Sequence, residues 1–470
     1  MKPQSRPPIA HALAVLCGLI GGLTLSASAL AQADPMAEMR QELARLKARV
    51  AQLEAQQAAT AASTAPRMTE GVSVEEFNRI ATKVEAAEDN MDSNGTKGLK
   101  ISGMMDPTFI SSRNRHSSGF LFLSNFDGDN RSGPDDGYAY DNSYFGAAMI
   151  DVQKETENGQ RWRLTLAPHK SAGSGYNIAS TVHEASLSLP LDGPSTRLIA
   201  GQLPDWSGYE YYWSNQQPLI SHNLLFDYTI PSFYTGAGLE LTRDKWLIKA
   251  MLANVNAVRP RAATLEQAGQ TAPGLVFRVD YAKGEFSGFG VAGLKLNENG
   301  RNTHSLEIDG YFIRGDLTLQ GQLGAGAAEG KAWDGTKARW QALSALVGWR
   351  LTPRLQVVLR GDVVQSPGAW VPGSAEDGRN GFGRPFAYDA DAGEWARNGT
   401  QGVKRSALSL GLNYLISANL TSNSGLWNTG TWWKLELRQD RANGPVFLDD
   451  RLGDYKRGNT TLLSSIVYAF

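Results

Sequence analysis

The sequence predicts an all-β fold: an antiparallel transmembrane β-barrel of about 16 strands, preceded by a short α-helical coiled coil. Two observations carry this prediction. Apolar and polar residues alternate along successive segments from Leu99 onward, as in strands that bury one face. Long and short connections alternate along nearly the whole barrel, with a break at residues 417–429, which is typical of membrane barrels with short turns at one edge and long loops at the other.

The composition agrees with this class. The chain has 470 residues, a formal net charge of −1 and a mean hydropathy of −0.32. After residue 30, no run of about 18 apolar residues could form a membrane-spanning helix. Barrel strands escape that test, because only every second residue of a strand faces lipid. The near-neutral charge leaves no basic footprint, so we expect no nucleic-acid partner.

Residues 1–31 have the pattern of a signal peptide. Lys2 and Arg6 charge its start, an apolar segment follows, and a small-x-small cleavage motif ends at Ala31. A membrane anchor is the weaker alternative, because the apolar segment is short and lacks a positive charge on its far side. The only cysteine, Cys17, lies in this segment, so we expect neither disulfides nor thiol chemistry after cleavage.

A heptad pattern predicts a coiled coil within residues 32–60. Charged pairs that flank the apolar seam, such as Glu42 with Lys47, favour parallel pairing between copies of the chain. One amphipathic helix lying on the barrel is the alternative. Residues 61–98 are predicted to form a linker and a second short helix. The apolar seam of the coiled coil consists of Met36, Met39, Leu43, Leu46, Val50 and Leu53.

The predicted barrel covers residues 99–470. Its long connections include residues 204–231 and 365–404, whereas its short ones include the turn sequences TENGQ, LDGPS and TRDK. The predicted strands are residues 99–110, 142–153, 160–168, 180–191, 196–203, 232–242, 245–255, 274–283, 285–296, 303–313, 315–325, 338–351, 354–364, 405–416, 430–438 and 460–470.

Alternation separates an apolar face from a polar face in each strand. In one of them, Leu355, Val357 and Leu359 oppose Gln356 and Arg360. A barrel of about 16 strands has an interior too wide for side chains to fill, so the apolar faces should contact lipid and the polar faces should line water. Aromatic residues near strand ends, where interfacial girdles are expected, are Trp162, Trp246, Tyr281, Trp349, Tyr414, Trp432 and Tyr468.

Basic and acidic residues are equally numerous at the predicted inward positions. This balance favours weak ion selectivity, or a transverse field between a basic and an acidic wall. Most of these residues could equally be solvated charges without a further role. The basic ones are Arg161, Arg163, Arg197, Lys249, Arg278, Arg360, Lys434 and Arg438, and the acidic ones are Glu184, Glu240, Asp280, Glu307, Asp309, Asp316, Asp362 and Glu436.

The connection over residues 204–231 is rich in aromatic residues. Flat rings beside amides and carboxylates suit sugars, whose rings have apolar faces and hydroxyl edges. The equally favoured alternative is that these rings only pin the connection to the inner wall. The predicted solute-contacting residues are Trp206, Tyr209, Tyr211, Tyr212 and Trp213.

The chain ends in SSIVYAF, with Phe470, Tyr468 and Ile466 at alternate positions. This pattern resembles the C-terminal signature of bacterial outer-membrane proteins, in which an aromatic residue ends an alternating apolar strand. In those proteins the signature is read by the barrel-assembly machinery. The resemblance therefore implies that these three residues form an assembly signal.

Three further segments, RLIAGQLPDW, QPLISHNLLFDYTIP and WKLELRQDRANGPVF, resemble segments of carbohydrate-selective porins. They are more similar to a porin-like proteobacterial family that carries a domain of unknown function. The helical N-terminus resembles that of sucrose-type porins, which place a coiled coil in the periplasm before a trimeric barrel. No residue-level sugar site follows from this resemblance.

The resemblance implies a homotrimeric porin of the Gram-negative outer membrane, with its N-terminal helices in the periplasm. Such a protein allows passive diffusion of small hydrophilic solutes, here including sugars. In general porins of this size the third long loop folds inward and narrows the channel. Residues 204–231 form the third long connection of this chain.

Two other function classes are alternatives. A plugged barrel could act as an adhesin or a structural protein, because the connection over residues 365–404 is large. A barrel hydrolase is less favoured, because the histidines after residue 31 lie in no recognisable catalytic motif. We therefore expect no enzyme activity, no cofactor and no metal site.

Overall fold

A computed structural model describes residues 74–122, 146–167, 181–231, 233–255, 273–284, 286–298, 300–372, 382–418 and 430–470. The chain divides into two compact units, Met1–Glu88 and Asp89–Phe470. Within the described ranges, no helix is both long and apolar enough to cross a membrane. The predicted signal peptide and coiled coil, residues 1–31 and 32–60, lie outside the described residues.

Helix α1 spans Val74–Ser93, where a second short helix is predicted. Ile80, Val84 and Met91, which belong to its apolar seam, are each about half exposed, at 49%, 51% and 52%. After the helix, Gly95 has a φ of +65°, a left-handed conformation that glycine adopts without steric cost. The helix therefore carries an apolar stripe that faces solvent in the single chain.

The strands follow in chain order, with one short helix among them. The first eleven strands and helix α2 are β1 (Leu99–Met105), β2 (Thr108–Ser112), β3 (Ser117–Leu121), β4 (Ala148–Glu155), β5 (Arg161–Leu166), β6 (Val182–Pro190), β7 (Thr196–Pro204), α2 (Leu224–Tyr228), β8 (Phe233–Arg243), β9 (Trp246–Val255), β10 (Gly274–Gly284) and β11 (Ser287–Glu298). The remaining strands are β12 (Arg301–Arg314), β13 (Leu317–Ala328), β14 (Ala338–Thr352), β15 (Leu355–Gln365), β16 (Phe386–Asp389), β17 (Glu394–Arg397), β18 (Lys404–Ser417), β19 (Gly430–Ala442), β20 (Phe447–Asp449), β21 (Asp454–Lys456) and β22 (Gly458–Ala469).

One closed sheet dominates this fold. Strands β1 and β2 are two halves of a single spanning strand, bent at Asp106 and Pro107, since both pair with β22. Strand β3 pairs with β2 in a hairpin, and β16–β17 and β20–β21 form separate two-stranded hairpins. In the described part of the chain, 16 strands therefore span an antiparallel barrel, which β1 closes by pairing with both β4 and β22. The predicted antiparallel barrel of about 16 strands is confirmed.

The two faces of the wall follow the predicted alternation. Leu306 and Ile308 on β12 are 48% and 46% exposed, whereas Glu307 and Asp309 between them are only 3% and 6% exposed. The lipid-facing surface is thus apolar and the inward surface polar, as membrane barrels require. The predicted girdle position of Trp432 is wrong: its side chain faces inward and is 5% exposed. Its neighbour in the chain, at position 433, occupies the outer face instead.

Most connections sort by length to the two edges of the barrel, with exceptions between β11 and β12 and between β18 and β19. One edge carries tight turns such as residues 191–195, 244–245 and 353–354, together with the chain's C-terminus, and we call it the turn edge. The opposite edge, the loop edge, carries the connections that contain the hairpins β16–β17 and β20–β21. The connection between β7 and β8 leaves the loop edge and enters the interior, where it shapes the candidate site.

Candidate functional site in the barrel interior

Residues 205–231, which we call the inward loop, connect β7 to β8 and lie inside the barrel. Helix α2 lies in this loop, and Asn223 caps it by accepting a hydrogen bond from the Phe226 N–H at 2.8 Å. The loop contacts inward-facing side chains of β14, β15 and β19, through Ser344, Arg360 and Lys434. Through these contacts, the connection lies against the inward faces of the three strands.

Arg360 on β15 is the most extensively bonded of these anchors. Its guanidinium donates five hydrogen bonds, to Glu210 (2.8 Å), Asp362 (3.2 Å), the carbonyl of Ser221 (2.7 Å), the hydroxyl of Ser221 (2.9 Å) and the carbonyl of His222 (2.8 Å). An arginine has five N–H donors, so every donor is used. The residue is 0% exposed, and its charge is therefore committed to holding the loop.

Strand β19 binds the backbone of the inward loop directly. The carboxylate of Glu436 accepts hydrogen bonds from the backbone N–H groups of Ile220 (2.8 Å) and Ser221 (2.7 Å). The ammonium of Lys434 donates to the backbone carbonyls of Ser214 and Gln217. Since these contacts are made to main-chain atoms, they fix the path of the loop as well as its position.

A second buried ion group extends this attachment toward the loop edge. Arg438 donates to the carbonyl of His222 at 2.7 Å and to Asp440 at 3.0 Å, and Arg405 donates to Asp440 at 2.9 Å. All three side chains of this ion group are 0% exposed. Burial lowers the pKa of His222, against the opposing effect of the nearby Glu210 carboxylate.

Arg405 also joins the inward loop to two outer connections. Its guanidinium lies 5.2 Å from the ring centroids of Tyr228 and Phe382 and 5.3 Å from that of Phe447. Tyr228 belongs to α2, whereas Phe382 and Phe447 belong to connections at the loop edge. Cation–π contacts of this kind stabilise a desolvated arginine. Three separate segments are thereby packed together on the inner wall.

Apolar packing covers the same side of the interior. Ile220, Leu224 and Leu225 of the inward loop are each 0% exposed. Burial of three such side chains favours the inward position of the loop by about 1.5–3 kcal/mol each. Their cluster also contains Ile110, Tyr228, Ala328, Trp340, Ala342, Val364, Val371, Phe382, Val403, Ala407, Val446, Phe447 and Leu463.

Three of the predicted solute-contacting aromatics pack in two other buried clusters of the interior. Tyr209, Tyr212 and Trp213 are 8%, 6% and 4% exposed. The Tyr209 hydroxyl lies 2.7 Å from the Ser344 hydroxyl, and the rings of Tyr212 and Trp213 each lie 4.7 Å from that of His183. Such burial does not fit the predicted direct contact of these three residues with solute. Their position agrees with the alternative that they pin the loop to the wall.

Tyr211 differs from its neighbours, because its side chain is 61% exposed. Trp206, the fifth predicted aromatic, is partly buried; its ring lies 4.9 Å from that of Tyr234 and 5.7 Å from the Lys249 ammonium. These two rings lie on the side of the loop that faces β8–β10. That side is the one on which inward-facing charges keep contact with water.

We call β14, β15, β18 and β19 the anchoring wall, and β4–β10 with β12 the accessible wall. On the accessible wall, Arg163 lies 2.8 Å from Asp151 and 3.3 Å from Glu184, and its side chain is 35% exposed. Lys249 lies 3.4 Å from Glu240, with exposures of 25% and 21%. The corresponding ion pairs of the anchoring wall are fully buried, so the two walls differ in access to water.

A third ion group lies beside the inward loop on the accessible wall. Arg278 contacts Asp280 at 2.7 Å and Asp309 at 2.8 Å, and it also donates to the carbonyl of Trp206 at 2.6 Å. Asp280 is 29% exposed, whereas Arg278 is 12% exposed. Gly208, with a φ of +76°, passes so close that an added Cβ would lie 2.5 Å from the Gln322 side chain. The start of the loop is therefore tightly seated between β10 and β13.

Three predicted lumen charges lie near the turn edge. Arg161 pairs with Glu155 at 2.9 Å and is 56% exposed, so it lies at the rim of the barrel. Asp316 is also exposed, but it falls in the turn between β12 and β13, so its predicted place in the lumen is wrong. Arg197 is buried and donates to the carbonyl of Gly159 at 2.7 Å, which supports a turn rather than lining a passage.

Several important residues do not appear among the predicted ones. Glu210 accepts a hydrogen bond from Arg360, and Asp440 accepts hydrogen bonds from both Arg405 and Arg438. Arg405 also makes the cation–π contacts described above. Asp106, at the bend between β1 and β2, is 0% exposed and accepts hydrogen bonds from the Ser214 hydroxyl and the Ala147 N–H, each at 2.5 Å. Alternation along their strands places positions 405 and 440 on the inward face, and this could have indicated Arg405 and Asp440. Glu210 and Asp106 lie in irregular backbone, which alternation does not reach.

The C-terminal residues close the barrel. Phe470 exchanges two backbone hydrogen bonds with Gly103, at 3.0 Å and 3.1 Å. Ile466 and Tyr468 lie on the outer face of β22, each 41% exposed. Together with the 48% exposed ring of Phe470, they form an apolar row beside the closing seam of the sheet.

Solved structures with similar folds are outer-membrane proteins of low sequence identity. Outer-membrane expressed OmpT of Vibrio cholerae is 8% identical, with a TM-score of 0.47, over 79% of this chain and 97% of that one. An anion-selective porin from Comamonas acidovorans is 11% identical, with a TM-score of 0.46, over 79% and 99%. OmpF of Salmonella typhi, in complex with daunomycin, is 11% identical, with a TM-score of 0.43, over 79% and 97%.

Sequence comparison gives a more direct assignment. Among curated proteins, no sequence relative is detected. The model of one protein family, described as protein of unknown function (DUF3138), matches residues 11–277. This match covers more than half of the chain and includes the helix α1, the first barrel strands and the whole inward loop. The chain therefore belongs to the DUF3138 family.

Proposed function

We propose that this protein is an outer-membrane channel for passive diffusion of small hydrophilic solutes, and not an enzyme. The observation that carries the proposal is the unequal exposure of charges inside the barrel. Arg163, Lys249 and Asp280 keep 35%, 25% and 29% exposure, whereas Arg360 and Arg438 have 0%. Water-exposed charges inside a lipid-facing barrel are expected along an aqueous path.

The path runs between the accessible wall and the exposed side of the inward loop. Tyr211 is the ring that a passing solute would meet, with Arg278 and Asp309 close to it. One ring and a few charged groups give weak, reversible contact, which suits a channel because a tightly held solute would not leave. Sugars fit this surface, because a ring face can stack on Tyr211 while hydroxyls bond to the nearby charges.

Assembly is part of the same proposal. We expect a homotrimer in the outer membrane, with its N-terminal helices in the periplasm. The half-exposed seam residues Ile80, Val84 and Met91 of α1 support pairing between copies. Phe470, Tyr468 and Ile466 form the outward apolar row that the barrel-assembly machinery would read.

A plugged barrel, with an adhesive or structural role, is the second candidate. The complete burial of Ile220, Leu224 and Leu225 favours it, because the inward loop packs with two outer connections on one side of the interior. A plug and a constricted channel differ in whether water passes along the accessible wall. Ion conductance therefore separates them.

The test is single-channel recording of the purified full-length protein in a planar bilayer. We expect steady conductance, and Tyr211→Ala should raise it because the exposed ring is removed from the path. The matched control is Tyr212→Ala on the same loop, whose ring is buried, which should leave the conductance unchanged. Absence of conductance in the wild-type protein would favour the plugged barrel. Equal effects of the two variants would place the constriction elsewhere.

A further inference from the structure

The accessible wall holds an arginine that two carboxylates share. Arg163 contacts Asp151 at 2.8 Å and Glu184 at 3.3 Å. Asp151 also accepts hydrogen bonds from Thr165 at 2.6 Å and from Gln153 at 2.6 Å, which stabilise its ionised form. One cation with two carboxylates leaves this group with a net negative charge.

The same arrangement recurs beside the inward loop. Arg278 contacts Asp280 at 2.7 Å and Asp309 at 2.8 Å, so two carboxylates again share one guanidinium. Between the two groups, Lys249 and Glu240 form a neutral pair at 3.4 Å. The three ion groups of the accessible wall together therefore carry an excess of negative charge, and Asp280 and Glu240, 29% and 21% exposed, are their water-accessible carboxylates.

The anchoring wall does not offset this excess. Arg360, Lys434 and Arg438 are 0%, 1% and 0% exposed, and each donates to carbonyl groups of the inward loop. Ion pairing and the loop's own dipoles enclose these cations, so they do not present a basic surface to the passage. The negative excess therefore arises on the accessible wall, because on the anchoring wall the carboxylates Asp362 and Glu436, 2% and 0% exposed, are buried together with the cations.

We propose that the passage conducts cations in preference to anions, with Asp280 and Glu240 as accessible residues that determine this preference. The inference rests on the proposed channel. A charge about 7 Å from an ion's path in water changes the local concentration of that ion by about two- to threefold. The preference should weaken at high salt, because the screening length falls from about 10 Å at 0.1 M to about 3 Å at 1 M.

The experiment measures the zero-current potential of the full-length protein in a bilayer under a KCl gradient. Wild type should show a potential of the sign that K⁺ permeation produces. Asp280→Asn should shift this potential toward zero, and Lys249→Gln should shift it away from zero. Asp280→Asn leaves Arg278 paired with Asp309, so the barrel should fold, which its heat-modifiable migration in a gel reports.

Asp454→Asn is the matched control. Asp454 is an exposed carboxylate that also pairs with a cation, Lys456 at 3.4 Å, but it lies in hairpin β20–β21 at the loop edge. It should not move the potential. A wild-type potential at zero, or one of the sign that Cl⁻ produces, would overturn the cation preference. Absence of any current would instead overturn the proposed channel, so the two failures are distinguishable.

Discussion

The anchoring wall and the accessible wall are built from the same residue types, yet their charged side chains have different roles. Those of the anchoring wall bind the inward loop, whereas several of those on the accessible wall remain exposed to water. Each places arginines and carboxylates at alternate inward positions. On the anchoring wall, all five N–H donors of Arg360 form hydrogen bonds with the inward loop or with the Asp362 carboxylate. On the accessible wall, Arg163 pairs with carboxylates but keeps 35% exposure. The ion pairs that hold the inward loop are fully buried, whereas Arg163, Lys249 and Asp280 of the accessible wall keep partial exposure to water.

The two walls should also differ in how much stability is lost when one partner of an ion pair is removed. A buried ion pair gains little net stability by itself, because both charges lose their hydration. Removing one partner is costly, however, because the other charge is left buried and unpaired. An exposed pair behaves differently, since water can replace the lost partner. The same substitution should therefore have unequal effects on the two walls.

Arg360→Ala should have the largest effect on stability. It leaves the carboxylate of Glu210 buried without its guanidinium and removes the contacts to Ser221 and His222. We expect a loss of about 3–5 kcal/mol in the free energy of unfolding. Denaturant unfolding in detergent, followed by gel mobility, measures this loss. The inward loop should also become sensitive to protease.

The comparison variant is Arg163→Ala on the accessible wall. Asp151 and Glu184 are themselves only 3% and 8% exposed, but the arginine between them is 35% exposed, so its removal opens a route for water to both carboxylates. The loss should therefore be smaller than that for Arg360→Ala. Similar losses for both variants would show that the two walls do not differ as described.

Leu225→Ala tests the apolar part of the attachment. Leu225 is 0% exposed and lies in the cluster that joins the inward loop to the outer connections. Its truncation should cost about 2–5 kcal/mol through lost burial and the cavity left behind. Leu239→Ala, at a 44% exposed position on the outer face of β8, should cost less because lipid or detergent fills the space. If Leu239→Ala destabilises the barrel as much, the loop is not held by this cluster.

The strands could be predicted because alternation is a local property. Each predicted segment overlaps one spanning strand, including the strand that bends at Asp106 and Pro107. The predictions were wrong where a shift of one residue changes whether a side chain lies in a turn, in the lumen or on the outer face. Strand β13 begins at Leu317, so Asp316 falls in a turn instead of the lumen. The adjacent tryptophans 432 and 433 likewise point to opposite faces of β19. Trp433 lies on the outer face, whereas Trp432, the predicted girdle residue, faces inward.

The interior could be predicted only in part. The aromatic content of residues 204–231 indicates a loop that packs inside, but not which rings remain accessible. Helix α2 has five residues, too few to form without tertiary contacts, and it exists because its apolar side chains are buried. The burial of Arg360 and Lys434 depends on carbonyl groups of the loop backbone, which no sequence pattern marks.

Thiol accessibility tests the central claim most directly. In a Cys17→Ser background, single cysteines would replace Tyr211 or Tyr212, which are adjacent but 61% and 6% exposed. The measurement is the rate at which a water-soluble thiol reagent modifies each variant in the folded barrel, together with the resulting change in conductance. We predict rapid modification and reduced current for Tyr211→Cys, and slow modification without a change in current for Tyr212→Cys. Equal rates at the two positions would contradict the difference in water access between the exposed and the buried residues of the inward loop.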